Sequence, residues 1–363
     1  MLKISFFSLL ASLIISVGLI EVIGKFLSEP TDIERELHFV TSDLYLGWKN
    51  REGVAGIFES HQHGFAGHVR FDRLGLRATA NPLTPTADDY KILLIGDSTT
   101  AGMEVDDHQT FASQLERRLR ETGRPVQIFN AGVRGYGADQ SLLRLKELLP
   151  QLQPHLVIFM ASRFSLQQLT TMKNWYRPFS KPAFALANGE LELLNSPIEP
   201  MDLEEFAYLK YEPSGYTIEK GRAKPSGIAR FLRKNSIVYG KLDGLYYSRF
   251  LKTPIAAPGG VTEEKKQTFL RLVEEMRKLS PRFLMTGFTV AKGGRVPEYE
   301  LFQTLATEIR QDFVDIRPQF KPGVNYVFGN DGHWNVEGHT QAARALFTEL
   351  ETRLKTPRLA TAK

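Results

Sequence analysis

The stretch that decides the fold is Lys91-Ile92-Leu93-Leu94-Ile95-Gly96-Asp97-Ser98-Thr99-Thr100-Ala101-Gly102. Its apolar run is short and continuous, bounded by charge on one side and glycine on the other. That pattern suits a strand buried on both faces of a parallel sheet better than a half-exposed hairpin strand. A serine at the carboxyl end of such a strand lies where open α/β sheets place their ligands. If the chain turns into helix at Thr99, Ser98 also sits near a helix amino terminus, whose N–H groups favour developing negative charge.

Outward from this stretch, strands and helices alternate. A helix is expected around Gln109–Glu121, with Phe111, Leu115 and Leu119 four apart and Gly123 beyond its end. Val126–Phe129 reads as a second strand and Asn130–Gly137 as the loop after it. Ser141–Leu149 is a helix stopped by Pro150 and Pro154, and Leu156–Met160 is a third buried strand. After a break, Thr262 opens a helix through Leu279. Arg282–Phe288 is a fourth strand, Glu298–Arg310 a helix, Phe313–Ile316 a fifth strand and Val336–Leu354 the closing helix. This rhythm implies βαβ units and a mostly parallel sheet covered on both faces.

Three further regions frame that core, taken as residues 89–166 and 261–356. From Ile4 to Ile20 no residue is charged, with Lys3 before the run and Glu21 and Lys25 after it. Residues 1–27 are expected to be an uncleaved signal anchor rather than a cleaved signal, since no small-residue cleavage site stands out. The catalytic domain would then lie outside the cytoplasmic membrane, in the periplasm of a Gram-negative cell. Residues 28–88 form an arm and linker, in which Phe71–Arg77 is an edge strand or an extended piece laid on the core and Asn81–Thr86 is prolyl. Residues 167–260 carry prolines, aromatics and charges without a period. They are read as an inserted cap with short helices, because an unstructured loop of that length is improbable.

The 363 residues carry 24% charged side chains and a net charge of +5, spread along the chain, and nucleic acid is not an expected partner. There is no cysteine, which excludes disulfides, thiolate metal sites and a cysteine nucleophile. Gly132–Gly137 is glycine-rich in the wrong order for a dinucleotide fingerprint. His61-Gln62-His63 lacks a carboxylate or cysteine partner and reads as a solvated loop. No cofactor or metal is expected.

A nucleophilic serine needs a base and a group that holds the base in one tautomer. Of eight histidines, His38, His61, His63 and His68 lie in the arm, His108 precedes a helix and His155 enters a strand at its amino end. His339 falls within the closing helix, where packing is the simpler role. His333 lies in a glycine-bearing loop, two residues after Asp331. Taken singly, Asp331-Gly332 is a turn dipeptide and His333 an exposed loop residue.

Together the pieces resemble the SGNH (GDSL) hydrolase family. Its first block is matched by Gly96-Asp97-Ser98, its second, Asn-x-Gly-x-x-Gly, by Asn130–Gly135, and its last by Asp331 and His333. The resemblance implies a flavodoxin-like three-layer α/β/α fold and a membrane-anchored esterase. It implies Ser98 as nucleophile, His333 as base, Asp331 as the orienting acid, and backbone N–H groups of Ser98 and Gly135 at the oxyanion. The Asp331-Gly332-His333-Trp334 spacing is similar to the alginate O-acetyltransferase branch, and the Leu46-Gly47-Trp48 arm to membrane-anchored members. The family's third block, Gly-x-Asn-Asp, is absent. Ala161-Ser162-Arg163 follows Met160, and losing one oxyanion donor costs about 3–4 kcal/mol. Either Arg163, Ser162 or Ser165 donates in its place, or the backbone N–H groups of Ser98 and Gly135 suffice for a slower enzyme. The expected substrate is a small ester or an acylated carbohydrate, with Trp175, Tyr176, Tyr246 and Tyr247 as candidate sugar-stacking rings. The alternatives are a polysaccharide O-acetyltransferase and a non-catalytic glycan-binding relative.

Overall fold

A computed structural model of the chain describes residues 6–27, 32–79, 89–169, 180–198, 261–288, 297–329 and 331–355, with short pieces at 232, 236–239, 242, 290–291 and 294–295. The deciding stretch forms β5 (Tyr90–Gly96), after four arm strands β1 (Val40–Asp43), β2 (Gly47–Asn50), β3 (Ala55–Ser60) and β4 (Phe65–Arg70). It is followed by a single helical turn α3 (Ser98–Ala101), then α4 (Phe111–Glu121), β6 (Val126–Asn130), α5 (Ala138–Leu152), β7 (Leu156–Ala161) and α6 (Arg163–Gln167). A hairpin of β8 (Ala183–Ala187) and β9 (Glu190–Leu194) precedes α7 (Glu263–Leu279), β10 (Phe283–Gly287), α8 (Pro297–Glu308) and α9 (Val336–Lys355). Two N-terminal helices, α1 (Phe6–Leu27) and α2 (Asp32–Leu37), complete the set used below.

The central sheet has the order β10-β7-β5-β6, with every neighbour parallel. In core order this is fourth, third, first, second, the flavodoxin-like arrangement, and its switch point falls between β5 and β7. The uninterrupted apolar runs are explained by two-sided burial. Leu93, Ile95, Val157 and Phe159 pack with Leu142, Leu145, Phe269 and Leu272 of α5 and α7. Ile92, Leu94, Ile158 and Met160 pack on the other face with Leu115, Leu119, Ala342 and Leu346 of α4 and α9. Alternate side chains of each strand therefore serve alternate helical layers.

Three expectations differ in detail. Phe313–Ile316 is not a full strand: Phe313 makes one parallel bridge to Met285, and the Val314 N–H donates to the Met285 carbonyl at 2.8 Å. Asp315 then binds the Arg317 guanidinium and the Tyr299 hydroxyl, which turns the chain into a 3-10 turn at Arg317–Gln319. Pro150 does not stop α5, which runs to Leu152 before Gln153 caps it in the left-handed region. A proline in the last turn sacrifices one hydrogen bond where the ladder is ending. In the inserted region the described residues 183–194 form an antiparallel hairpin, alongside helical residues at 237–239.

The arm is more ordered than its composition suggested. β1–β2 and β3–β4 are antiparallel hairpins, and Arg77 bridges Asn130 at the free edge of β6. Phe39, Phe58, Phe65, Val69 and Phe71 form an apolar cluster that includes Ala101 and Met103, just after the nucleophile turn.

The helix α1 belongs to a compact unit separate from the one that holds the sheet. Its segment Phe7–Gly24 has a mean hydropathy of 2.2 and is long and apolar enough to cross a membrane. Within that unit the Glu21 carboxylate accepts the N–H groups of Ile237 at 2.8 Å and Val238 at 3.1 Å.

The β8–β9 hairpin is pinned to the core by a fully buried ion pair between Lys181 and Asp139 of α5. The Lys181 ammonium also donates to the Pro182 carbonyl at 3.0 Å. Deleting one partner strands the other charge. Lys181→Met is expected to cost about 3–5 kcal/mol in urea unfolding; a loss within error of zero would refute the pinning role.

Candidate active site

Ser98 is carried by a tightly made corner. Asp97 caps α3, its Oδ1 accepting the Thr99 N–H at 2.9 Å, and the Gly102 N–H closes the turn on the Ser98 carbonyl at 2.9 Å. Gly102 adopts a φ of +59°, which a side chain would disfavour. The other Asp97 oxygen accepts the Ser162 hydroxyl from the end of β7. Asp97 is buried, and burial pushes its carboxyl above the usual range against these hydrogen bonds. Ser98 itself is only 6% exposed.

His333 arrives from the loop before α9. Its Nε2 lies 2.8 Å from Ser98 Oγ, and its Nδ1 hydrogen-bonds to Asp331 Oδ2. With Nδ1–H given to the carboxylate, Nε2 is left to accept the serine proton. The loop is locally braced: the Phe328 N–H donates to the His333 carbonyl at 2.9 Å, and the Asp331 N–H to the Phe328 carbonyl at 3.0 Å. Trp334 is buried, packed on Phe111, Phe288 and Phe320, and so anchors the chain next to His333. The adjoining Asn330 lies outside the described residues.

Electrostatics favour a chargeable base. Burial opposes the imidazolium, but the Glu104 carboxylate and the hydrogen bond to Asp331 outweigh it, and the His333 pKa is raised. Asp331 is also opposed by burial, yet its bond to His333 holds it down at about 2. His339 is different. Its ring is buried against Phe111, accepts the Phe111 N–H at 3.2 Å and is held neutral by burial, with a pKa near 3. The ring therefore packs.

The second loop is held from several sides. Asn130 Oδ1 accepts the Gly132 N–H at 3.0 Å while its amide donates to the Thr100 carbonyl at 2.7 Å. Asn50 of the arm donates to the Gly132 carbonyl at 2.9 Å. Trp48 Nε1 donates to the Arg134 carbonyl at 2.9 Å, and the Tyr136 hydroxyl to the Trp48 carbonyl at 2.6 Å. Gly135 has a φ of +81°, the left-handed region that glycine tolerates best.

At the third block, the Ser162 hydroxyl is already committed. It donates to Asp97 and accepts the Phe164 N–H at 3.1 Å. Ser162 is thus a brace of the nucleophile turn rather than a spare oxyanion donor. Ser165 caps the same turn, accepting the Ser162 N–H at 3.1 Å. Arg163 opens α6 with its guanidinium exposed, 5.0 Å from the centre of the Phe164 ring. Among the described residues no hydrogen bond ties Arg163 to Ser98.

Two residues escaped the sequence reading. Glu104, 1% exposed, lies 3.5 Å from His333 Nδ1 and is ion-paired with Arg134. Glu104, Asp331 and His333 offer ligand atoms within 4.8 Å of one another. Arg134 already neutralises one of these carboxylates and the imidazole proton engages the other. Of the arm histidines, His63 stacks near Phe65, 6.4 Å between ring centres, and His61 is exposed.

Residues 94–162 match the GDSL-like Lipase/Acylhydrolase family, the span that contains the nucleophile corner and the second loop. Over this segment the chain is similar to the GDSL hydrolases. Over 76 residues it is 33% identical to the esterase TesA of Pseudomonas aeruginosa, covering 21% of this chain and 38% of that protein. An arylesterase of Vibrio mimicus is 35% identical over 68 residues, 19% of this chain and 34% of the relative. The chain thus matches little more than a third of the length of these relatives. A solved structure of TesA superposes at a TM-score of 0.38 and 15% identity over 72% of this chain and 98% of that one, too loose a likeness to argue from. The SGNH match ends where the third block departs from the family, at Ser162.

Gly132 faces the backbone of α3, where a Cβ would run into the Ala101 nitrogen and the Thr100 carbonyl carbon. Gly132→Ala is therefore expected to displace the nucleophile turn and abolish labelling of Ser98 by a fluorophosphonate. Gly18→Ala, in open space on α1 with ordinary backbone angles, is the control. Labelling of Gly132→Ala at the wild-type rate would show that the two loops are not coupled.

Proposed function

We propose that this protein is an extracytoplasmic serine esterase that hydrolyses acyl esters, acetyl esters on carbohydrate foremost. The observation that carries the reading is the 2.8 Å approach of His333 Nε2 to Ser98 Oγ, with Asp331 on the opposite ring nitrogen. In this mechanism Ser98 attacks the acyl carbonyl as His333 takes its proton. Asp331 keeps the ring in the tautomer that presents a lone pair to the serine and stabilises the imidazolium. The N–H groups of Ser98 and Gly135 receive the oxyanion. His333 then protonates the leaving alcohol, and water, activated by the same ring, releases the acid and restores Ser98.

A second reading has support in the Asp331-Gly332-His333-Trp334 form. If a sugar hydroxyl replaces water at the acyl-enzyme, the same residues transfer the acetyl group. The non-catalytic glycan-binding reading is disfavoured by a serine, imidazole and carboxylate held in hydrogen-bonded sequence. The rings proposed to stack on sugar, Trp175, Tyr176, Tyr246 and Tyr247, lie outside the described residues. Arg163 stays a proposed oxyanion or anion contact on the strength of its place at the missing asparagine.

Turnover of p-nitrophenyl acetate tests the reading, with and without excess glycan acceptor. The esterase is supported by nitrophenol release that vanishes in Ser98→Ala and leaves the glycan unmodified. Acetylated glycan favours the transferase, and no Ser98-dependent turnover rules out both.

The proposed location rests on α1 as a membrane anchor, with Phe7–Gly24 as its apolar span. Fusing residues 1–30 to alkaline phosphatase should yield active, exported phosphatase in a membrane fraction. Activity confined to the cytoplasm would overturn the extracytoplasmic assignment, and soluble exported reporter would mean a cleaved signal.

A further inference from the structure

Three segments converge on one buried ion pair. Glu104 follows Ser98 by six residues, with Gly102 and Met103 leading into it. Arg134 stands immediately before Gly135 in the second loop. His333 comes from the loop before α9. The Glu104 carboxylate contacts both of the others, ion-paired with Arg134 and 3.5 Å from His333 Nδ1. The distance to the ring is long for a hydrogen bond, and Asp331 already occupies that nitrogen. Glu104 therefore acts on His333 by charge, in a place where burial leaves charge poorly screened.

Arg134 is positioned with equal care. Its guanidinium lies 4.9 Å from the centre of the Phe58 ring of β3, and its carbonyl accepts from Trp48. A carboxylate so near the imidazole could compete with Asp331 for the Nδ1 proton. The Arg134 pairing draws its charge away from the ring and fixes its direction.

We propose that Glu104 and Arg134 form a positioning pair that sets the basicity of His333 and ties the base to the loop bearing Gly135. The proposal rests on His333 serving as the base for Ser98. Neither residue touches substrate in this scheme; both act through the ring. Charged and titratable groups surround His333 on every side. Asp97 faces it from the nucleophile turn, Glu104 from the segment beyond, Arg134 from the second loop, Asp331 from its own loop and His339 from α9. His63 of the arm acts on Asp331. Of these, Glu104 raises the His333 pKa and Arg134 lowers it.

The signs make the test specific. The serine is activated only by neutral imidazole, so kcat/KM rises with pH through the His333 pKa, which lies above its ordinary value of 6.5. Glu104→Gln keeps the shape and removes the negative charge, so the inflection should move to lower pH. Arg134→Gln leaves the Glu104 charge uncompensated, so the inflection should move to higher pH. The double variant should fall between the two, and Glu104→Asp should recover part of the upward shift. In Glu104→Gln the loss should appear in kcat with KM unchanged. Inflections that stay put, or that move the same way in both single variants, would overturn the proposal. A merely structural pair would lower activity without these opposed shifts. The His333 resonance, assigned by its loss in His333→Asn, reports the same titration by NMR without turnover. Opposed NMR shifts with no ester hydrolysis would uphold the pair while sinking the esterase reading. If Glu104→Gln does not fold, Glu104→Asp and Arg134→Gln carry the same comparison.

Discussion

Any charge on the His333 ring is carried inside the protein, where desolvation opposes it. Burial acts against its imidazolium more than any other single influence, and the ring nevertheless has a raised pKa. What reverses the balance is a pair of carboxylates on the Nδ1 side, Asp331 by hydrogen bond and Glu104 by proximity. The remaining architecture can be understood as the means of holding those groups. Trp334, next to His333, is buried in the apolar layer with Ile158, Met160 and Leu284, and the carbonyl of Phe328 accepts the N–H of Asp331.

The nucleophile side obeys the same constraint from the other direction. Buried Asp97 is acceptable because its two oxygens meet the Thr99 N–H and the Ser162 hydroxyl. Ser162 comes from β7, which pairs with β5 in the register Gly96 to Met160. Strand pairing thus delivers the capping hydroxyl to the nucleophile turn. The departure from the family's third block is intelligible in these terms. The position next to the absent asparagine, Ser162, supports the turn that carries Ser98.

The arm is a structural participant rather than a tether. Trp48 and Asn50 hold the second loop by its carbonyls, and Arg77 reaches between β6 and the Val105 carbonyl at 2.9 Å. Such bracing suits the proposed oxyanion role of Gly135, because electrostatic stabilisation works best when donors need not move.

Much of this was legible in order along the chain. Continuous apolar runs, helix spacing in fours and a Gly-Asp-Ser corner determined the parallel sheet and the place of Ser98, since those signals are local and periodic. Asp331 and His333 were legible because they are two residues apart beside a closing helix. Other features depended on contacts that no period announces. Glu104 meets Arg134 across 30 residues and Ser162 meets Asp97 across 65, while the arm reaches the second loop across more than 80. Pro150 within α5 and the single bridge at Phe313 were decided by where the ladders happen to end. The sequence determined which groups could do chemistry; only packing decided which charges face the imidazole, because a charge acts through space and the chain order does not record distance.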